Sequence, residues 1–208
     1  MNRDFDTAAK TWDQNEARLR MSTSVADAMV GVLDLSGGET VLDYGAGTGT
    51  VAFRFVPLVK QVIAADSSRG MLDVLDGKIQ ATGAVNIRSL FLDLEREALT
   101  PTDLRPDVIV SAMALHHIAD TAFFATALSR LLPPGGRIAI ADLDTEAGDF
   151  HADNTGVQHF GFDRDNLARV FSDAGFTDIH TTTAHDFVRP TPNGEKSFPI
   201  FLLSARKA

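Results

Sequence analysis

The run Val41-Leu-Asp-Tyr-Gly-Ala-Gly-Thr-Gly49 constrains this chain more than any other segment. Thr40 to Tyr44 is short, apolar and β-favouring, and it passes without a linker into three glycines within five residues, Gly45, Gly47 and Gly49. Val51, Ala52, Phe53, Phe55 and Val56 then supply an apolar helical face. The pattern predicts strand, tight loop, helix. Glycine in such a loop permits unusual dihedrals and leaves the main chain accessible, while the following helix offers N–H groups that no intrahelical carbonyl satisfies. In an open α/β sheet the first strand-to-helix loop is the usual ligand contact.

The unit then recurs. Gln61 to Ala65 reads as a strand ending at Asp66, and Ser67-Ser68 caps a helix carrying Met71, Leu72, Leu75 and Ile79 that Gly83 ends. Asn86 to Leu92 is a third strand, Asp107 to Ser111 a fourth and Arg137 to Leu143 a fifth. Before the fifth, Thr121 to Leu132 forms a helix closed by Pro133-Pro134-Gly135-Gly136. Ahead of the first strand, Ser22 precedes Val25, Met29, Val32 and Leu33 at helical spacing, and Gly37-Gly38 supplies the stop. After an irregular stretch from Asp144 to Gly161, Asp163 caps a helix with Leu167, Val170 and Phe171, ended by Gly175. Strands alternating with helices imply a parallel sheet covered on both faces. Thr177 to Val188 and Phe198 to Ala205, separated by the turn-like stretch 189–194, predict an antiparallel pair at the sheet edge.

With 208 residues and 44% hydrophobic composition, one domain can bury a substantial core without disulfides or a structural metal. The absence of cysteine excludes disulfide frameworks, zinc ribbons, iron–sulfur clusters and thiol nucleophiles. Nineteen basic against 28 acidic residues give a formal charge of −9, which disfavours nucleic acid and anionic membranes as partners. No apolar run is long enough to span a bilayer and Met1 to Lys10 is polar, so a soluble cytoplasmic protein is expected.

The glycines do not keep the dinucleotide spacing G-x-G-x-x-G: three residues beyond Gly47 stands Thr50, and the third glycine comes one residue early. No Lys-Ser/Thr pair follows, so the phosphate cradle of nucleotide triphosphatases is absent as well. Asp43, just before the first glycine, would repel a pyrophosphate and engage a ligand's ammonium, directly or through water. A positively charged ligand is expected there.

Taken together, this segment resembles the first motif of class I S-adenosylmethionine-dependent methyltransferases, an acidic residue followed by alternating glycines. Asp66, 23 residues beyond Asp43, matches the acidic residue that in the family binds both ribose hydroxyls. Phe91-Leu-Asp93-Leu94 is similar to the adenine-binding segment after the third strand. Asp107 to Ile118 resembles the motif after the fourth strand in the small-molecule branch, typified by ubiquinone and menaquinone biosynthesis, and Leu131 to Ile140 its turn into the fifth. Phe5 to Asp13, with the sole tryptophan Trp12, is similar to the amphipathic segment that lids the cofactor in that branch. An aromatic ring there would attract a sulfonium through its face.

The resemblance implies a Rossmann-like, doubly wound α/β fold: a seven-stranded, mostly parallel sheet with an antiparallel last strand and helices on both faces. It implies a single domain over 1–208, with a helical lid at 1–36, a cofactor-binding core at 39–143, and a substrate-side insertion with a terminal hairpin at 144–208. The cofactor implied is S-adenosylmethionine, contacted by Trp12, Asp43, Gly45, Ala46, Gly47, Thr48, Gly49, Asp66, Ser67, Asp93, Leu94, Ala112 and Met113. Met71 belongs either to this set or to the core.

His116 and His117 lie in the loop that ends strand four, and His151 and His159 in the irregular segment after strand five. His117, His116 and His159 are the candidate proton acceptors. Adjacent histidines on a regular element project in different directions and chelate one metal poorly, and Asp142 with Asp144 lacks the further Asp-Asn pair of a catechol-type magnesium site, so no metal is expected. Ser111-Ala-Met-Ala114 stands where amino-group nucleic-acid methyltransferases carry an Asn/Asp-Pro-Pro-aromatic motif, which favours a small-molecule acceptor. The expected reaction is in-line methyl transfer to that acceptor. A nucleotide-dependent oxidoreductase and a non-catalytic S-adenosylmethionine-binding module remain the alternatives, and neither oligomeric state nor acceptor atom is legible.

Overall fold

Along the predicted strands, neighbouring apolar residues point to opposite faces, and every face finds helices to cover it. The computed structural model describes residues 5–94, 104–191 and 194–208. Its strands are β1 (Thr40–Tyr44), β2 (Gln61–Asp66), β3 (Ile87–Phe91), β4 (Val108–Ala112), β5 (Arg137–Leu143), β6 (Phe176–Thr191) and β7 (Gly194–Lys207). They form one sheet in the order β3-β2-β1-β4-β5-β7-β6. β7 runs antiparallel to both β5 and β6, so six strands are parallel and the last is reversed. The antiparallel pair is therefore not simply appended: β7 is wedged between β5 and β6, and β6 forms the edge. Of the turn expected at 189–194, residues 189–191 extend β6 and residue 194 begins β7, because they pair across the hairpin, and residues 192 and 193 lie outside the described residues.

The helices are α1 (Phe5–Ala8), α2 (Glu16–Val32), α3 (Thr50–Phe55), α4 (Arg69–Thr82), α5 (Thr121–Leu131) and α6 (Arg164–Asp173). Period-2 alternation divides the core into two layers. Val41, Val62, Ala64, Val108 and Val110 pack under α2, α3 and α4 through Met29, Phe55 and Leu75. Leu42, Ile63, Ile109, Ile138 and Phe201 pack under α5 and α6 through Phe124, Leu128 and Phe171. Caps set the helix starts: the side chains of Ser68, Asp120 and Asp163 accept from the main-chain N–H three residues on. The first long helix begins earlier than Ser22 because Asn15 caps it, accepting from Arg18 N, and Glu16 favours its first turn. Among the described residues no helix is long and apolar enough to cross a membrane.

The connection from β1 through α3 and α4 runs outward to β3, and the chain then returns to place β4 on the other side of β1. Loops diverge at that reversal and leave a crevice at the carboxyl ends of β1 and β4. The β6–β7 hairpin extends past the last β5 pairing, Leu143↔Ile200, and its projecting part carries Phe187 and Phe198 against Phe150 at ring-centroid distances of 5.5 and 5.4 Å. That projection walls one side of the crevice.

Phe201 pairs with Asp142 on β5 and Thr183 on β6, and its ring is fully buried in the α5/α6 layer. Phe201→Ala should lower unfolding free energy by about 3–5 kcal/mol in urea titrations followed by circular dichroism. A loss under about 1 kcal/mol would mean that the last strand is not packed in the sheet interior.

Candidate active site

The crevice is a cavity of about 930 Å³ at the carboxyl ends of the parallel strands, within the size range of small-molecule sites. Its floor is the loop between β1 and α3. The three glycines there have different jobs. A Cβ on Gly45 would lie 2.5 Å from that of Ala114, and one on Gly49 would lie 2.5 Å from Leu75 Cδ1, so both serve close packing. At Gly47, with φ of +55°, a Cβ would meet nothing nearer than Met71 Sδ at 4.0 Å, so here the main chain is bare toward the cavity.

Two carboxylates flank this loop. Asp66, at the tip of β2, accepts from Gly47 N through one oxygen and from Ser68 N through the other, each at 2.8 Å. The two N–H groups fix the carboxylate plane and leave a lone pair on each oxygen, the arrangement a pair of vicinal hydroxyls needs. Burial raises the Asp66 pKa, with the Ser68 and Gly47 N–H groups opposing. Asp43 is 1% exposed, and its Oδ2 is buried with no hydrogen-bond partner among the described residues. Burial, and next the charge of Asp66, push its carboxyl up to about 7, with the Ala52 N–H opposing. A buried unpaired carboxylate oxygen is costly unless a cation comes to it. An ammonium at that place removes the cost.

The remaining walls come from several elements. Met113, at the end of β4, holds φ of +56°, an uncommon conformation for a side-chain-bearing residue and one that turns the chain into the crevice. Asp93 and Phe91 line the side toward β3, where Arg69 lies over the Phe91 ring at 3.9 Å. The N-terminal segment closes the top and is pinned at both ends. Asp6 accepts from Ser68 Oγ at 2.5 Å and from Gly70 N at 2.8 Å. Asp13 accepts from Thr48 Oγ1 at 2.7 Å and pairs with Lys78 Nζ at 2.7 Å. Gly70 permits this docking, because a Cβ there would fall 2.6 Å from the Asp6 carbonyl oxygen.

Of the expected cofactor contacts, Trp12, Asp43, Gly45, Ala46, Gly47, Thr48, Asp66, Ser67, Met71, Asp93, Ala112 and Met113 line the cavity. Gly49 and Leu94 do not: Gly49 sits behind the loop as the left-handed cap of α3, and Leu94 is buried in the opposite core layer. One face of Trp12 is covered by the Arg18 guanidinium, 3.9 Å from the ring centroid, so a resident cation already uses the cation–π attraction expected for a sulfonium.

The histidines depart furthest from expectation. His116 and His117 both line the cavity, with ring centroids 4.1 Å apart, because Leu115–His117 is a 3₁₀ turn. Successive side chains there diverge by about 120° rather than by the half-turn of a strand. His151 joins them at 5.0 Å from His116, centroid to centroid. His159 lies outside the cavity, its Nε2 against the Ile118 carbonyl at 2.9 Å and its ring beside Phe162. His116 is 1% exposed, and its Nδ1 meets Asp142 Oδ1 at 2.8 Å. Burial would raise the Asp142 pKa, but the His116 imidazole beside it, together with the Leu143 and His116 N–H groups, holds it below the usual carboxylate range. Asp142 and Asp144 make no shared site: Asp142 turns to His116, and both oxygens of Asp144 are held by Arg164 at 2.7 Å.

Residues 15–181 match the family described as a methyltransferase domain. An uncharacterized methyltransferase of Schizosaccharomyces pombe is 32% identical over 153 residues, covering 67% of this chain and 54% of that protein. The ubiquinone/menaquinone biosynthesis C-methyltransferase of Shewanella frigidimarina is 33% identical over 111 residues, covering 52% of this chain and 44% of that one. The crystal structure of a SAM-dependent methyltransferase from Aquifex aeolicus superposes with a TM-score of 0.71 at 21% identity, covering 98% of each chain. The chain belongs to the class I S-adenosylmethionine-dependent methyltransferase family, and it spans about half the length of the curated relatives it matches.

The bare Gly47 main chain, the oriented Asp66 carboxylate and the unpartnered Asp43 oxygen fit the family's cofactor, which carries a ribose and an ammonium. The Asp43 proton gives this fit a pH signature. The unfolded chain loses it near the ordinary value of about 3.9 whereas the folded chain keeps it up to about 7, so stability of the free protein falls as pH rises across that window. Binding a cation expels the proton. Affinity for S-adenosylhomocysteine should therefore rise by up to about tenfold per pH unit from about pH 5 to 7 and then level off. In Asp43→Asn the rise should vanish; calorimetric titrations across this range that show the same slope in both proteins would remove Asp43 from the binding.

Proposed function

We propose that this chain transfers a methyl group from S-adenosylmethionine to a small-molecule acceptor. The single observation that carries the reading is the buried, unpartnered Asp43 oxygen beside the exposed Gly47 main chain, opposite an Asp66 whose two oxygens are already oriented. A cavity of about 930 Å³ and a formal charge of −9 favour a small acceptor over nucleic acid.

When bound, S-adenosylmethionine supplies a methyl on sulfonium sulfur, displaced in line as the acceptor atom bonds to it. The chain's residues then have definable tasks. Asp66 receives the ribose hydroxyls, Asp43 receives the ammonium, and Asp93 stands on the side where the family binds the adenine amine. Met113 and the adjoining 3₁₀ turn present the acceptor. Alignment of this kind supplies roughly 7–11 kcal/mol in favourable cases. The N-terminal segment, pinned through Asp6 and Asp13, excludes water from above. An acceptor hydroxyl or ammonium must also lose a proton, and His117 and His116 are the cavity imidazoles placed to receive it. The segments 1–36, 39–143 and 144–208 serve in this reading as lid, cofactor core and substrate side.

Asp66→Ala should weaken S-adenosylhomocysteine binding at least about 100-fold, the loss of two charge-assisted hydrogen bonds. Incubation with a labelled methyl donor and a metabolite extract should label material of low mass. No binding by the wild-type protein, or fluorescence quenching by NADH in its place, would overturn the reading. Binding without any labelled product would leave the chain a cofactor-binding module rather than an enzyme.

A further inference from the structure

We propose that His116, His117 and His151 form a divalent transition-metal site, of zinc type, on the acceptor side of the cavity. The ligand atoms of the three side chains all lie within 4.8 Å of one another. His116 Nε2 and His151 Nε2 are 3.2 Å apart. Two imidazole nitrogens each about 2.0–2.1 Å from a tetrahedral zinc are separated by about 3.3 Å, so this pair already has the spacing of a coordination edge. The ligand atom of His117 lies within 4.8 Å of both, so the two remaining edges need only shorten toward the same spacing when an ion binds.

The surroundings point the same way. His116 Nδ1 faces Asp142 Oδ1 at 2.8 Å and His117 Nδ1 faces the Gly156 carbonyl at 2.8 Å. Carboxylate and carbonyl oxygens accept, so each Nδ1 is the donor and Nε2 is the atom through which each ring would bind an ion. Metal-bound histidines are held in this way, with the outer ring N–H on a carboxylate or a carbonyl oxygen. Asp142 is in turn fixed by the Leu143 and His116 N–H groups at 2.7 and 3.1 Å, so the arrangement is rigid in the fold interior. His151 is brought in from the segment after β5, where Phe150 packs edge-on against its ring and is itself held between Phe187 and Phe198.

Three imidazoles leave a fourth position, and because all three line the cavity it opens toward the bound acceptor. Resting on the methyl-transfer reading, this selects an acceptor with an ionisable heteroatom, a thiol or hydroxyl. With the ion bound, His116 and His117 act as ligands in place of proton acceptors, so on coordination the acceptor's proton passes to solvent; the heteroatom lone pair then forms the bond to the methyl carbon as the bond from carbon to sulfonium sulfur breaks. The site itself does not depend on that reading.

The test is titration of chelator-treated, tag-free protein with Co2+, followed by competition with Zn2+. One equivalent should give the intense visible bands of four-coordinate Co2+, and Zn2+ should abolish them. His151→Ala should remove the bands, Asp142→Asn should weaken Co2+ binding by about 10–100-fold, and His159→Ala should leave it unchanged. Circular dichroism and S-adenosylhomocysteine calorimetry on the same samples report folding and the cofactor site separately. Failure of Co2+ to bind to protein that still binds S-adenosylhomocysteine overturns the metal site alone. Bands that persist in His151→Ala overturn it as well, since a site elsewhere would then hold the ion.

Discussion

The 2.8 Å hydrogen bond from Gly47 N–H to Asp66 Oδ2 joins the tips of β1 and β2 across the mouth of the cavity. It positions the bare loop and the oriented carboxylate together, and neither is useful without the other. Gly45 and Ala46 also give their N–H groups to the Ala65 carbonyl, at 2.8 and 2.9 Å, so the loop is bolted to β2 by three main-chain donors. The glycine spacing follows from this: Gly45 must clear Ala114, Gly49 must clear Leu75, and Gly47 leaves the main chain bare toward a ligand.

Electrostatic strain is the counterpart of that order. Two carboxylates approach each other in a buried place, and the deeper one, Asp43, is left with an oxygen that none of the described residues satisfies. Such a group destabilises the free protein and is stabilising only when a cation arrives, so stability is exchanged for affinity at this point. The N-terminal segment helps hold the place dry. Asp6 and Asp13 reach the first turn of α4 and the glycine loop from a segment more than 30 residues upstream in sequence, adding two anchored contacts over the cavity.

The strand, loop and cap pattern was readable because its causes are local. β-Branched runs, Ser68 and Asp163 as caps and Gly83 as a stop act within a few residues, and those elements appear within a residue or two of their expected ends. Asp43 and Asp66 were marked by their positions after strands for the same reason. What the sequence concealed depends on tertiary contact. The first long helix is capped at Asn15 rather than Ser22, two adequate caps being present, and the added turns bury Met21 in the core. Adjacent residues on a regular element project in different directions, yet the 3₁₀ turn leaves both His116 and His117 lining the cavity. His151 rather than His159 joins them, a choice set by how Phe150 packs on the hairpin and by no feature of spacing. The lid anchors Asp6 and Asp13 carried no signal beyond being acidic.

A crystal structure of the chain soaked with S-adenosylhomocysteine tests the central claim most directly. The account predicts the ribose hydroxyls within hydrogen-bond distance of both Asp66 oxygens, the nucleoside against Gly47, and the amino group on the Asp43 side of the loop. Density for the ligand elsewhere, or an Asp66 carboxylate turned from the ribose, would contradict it.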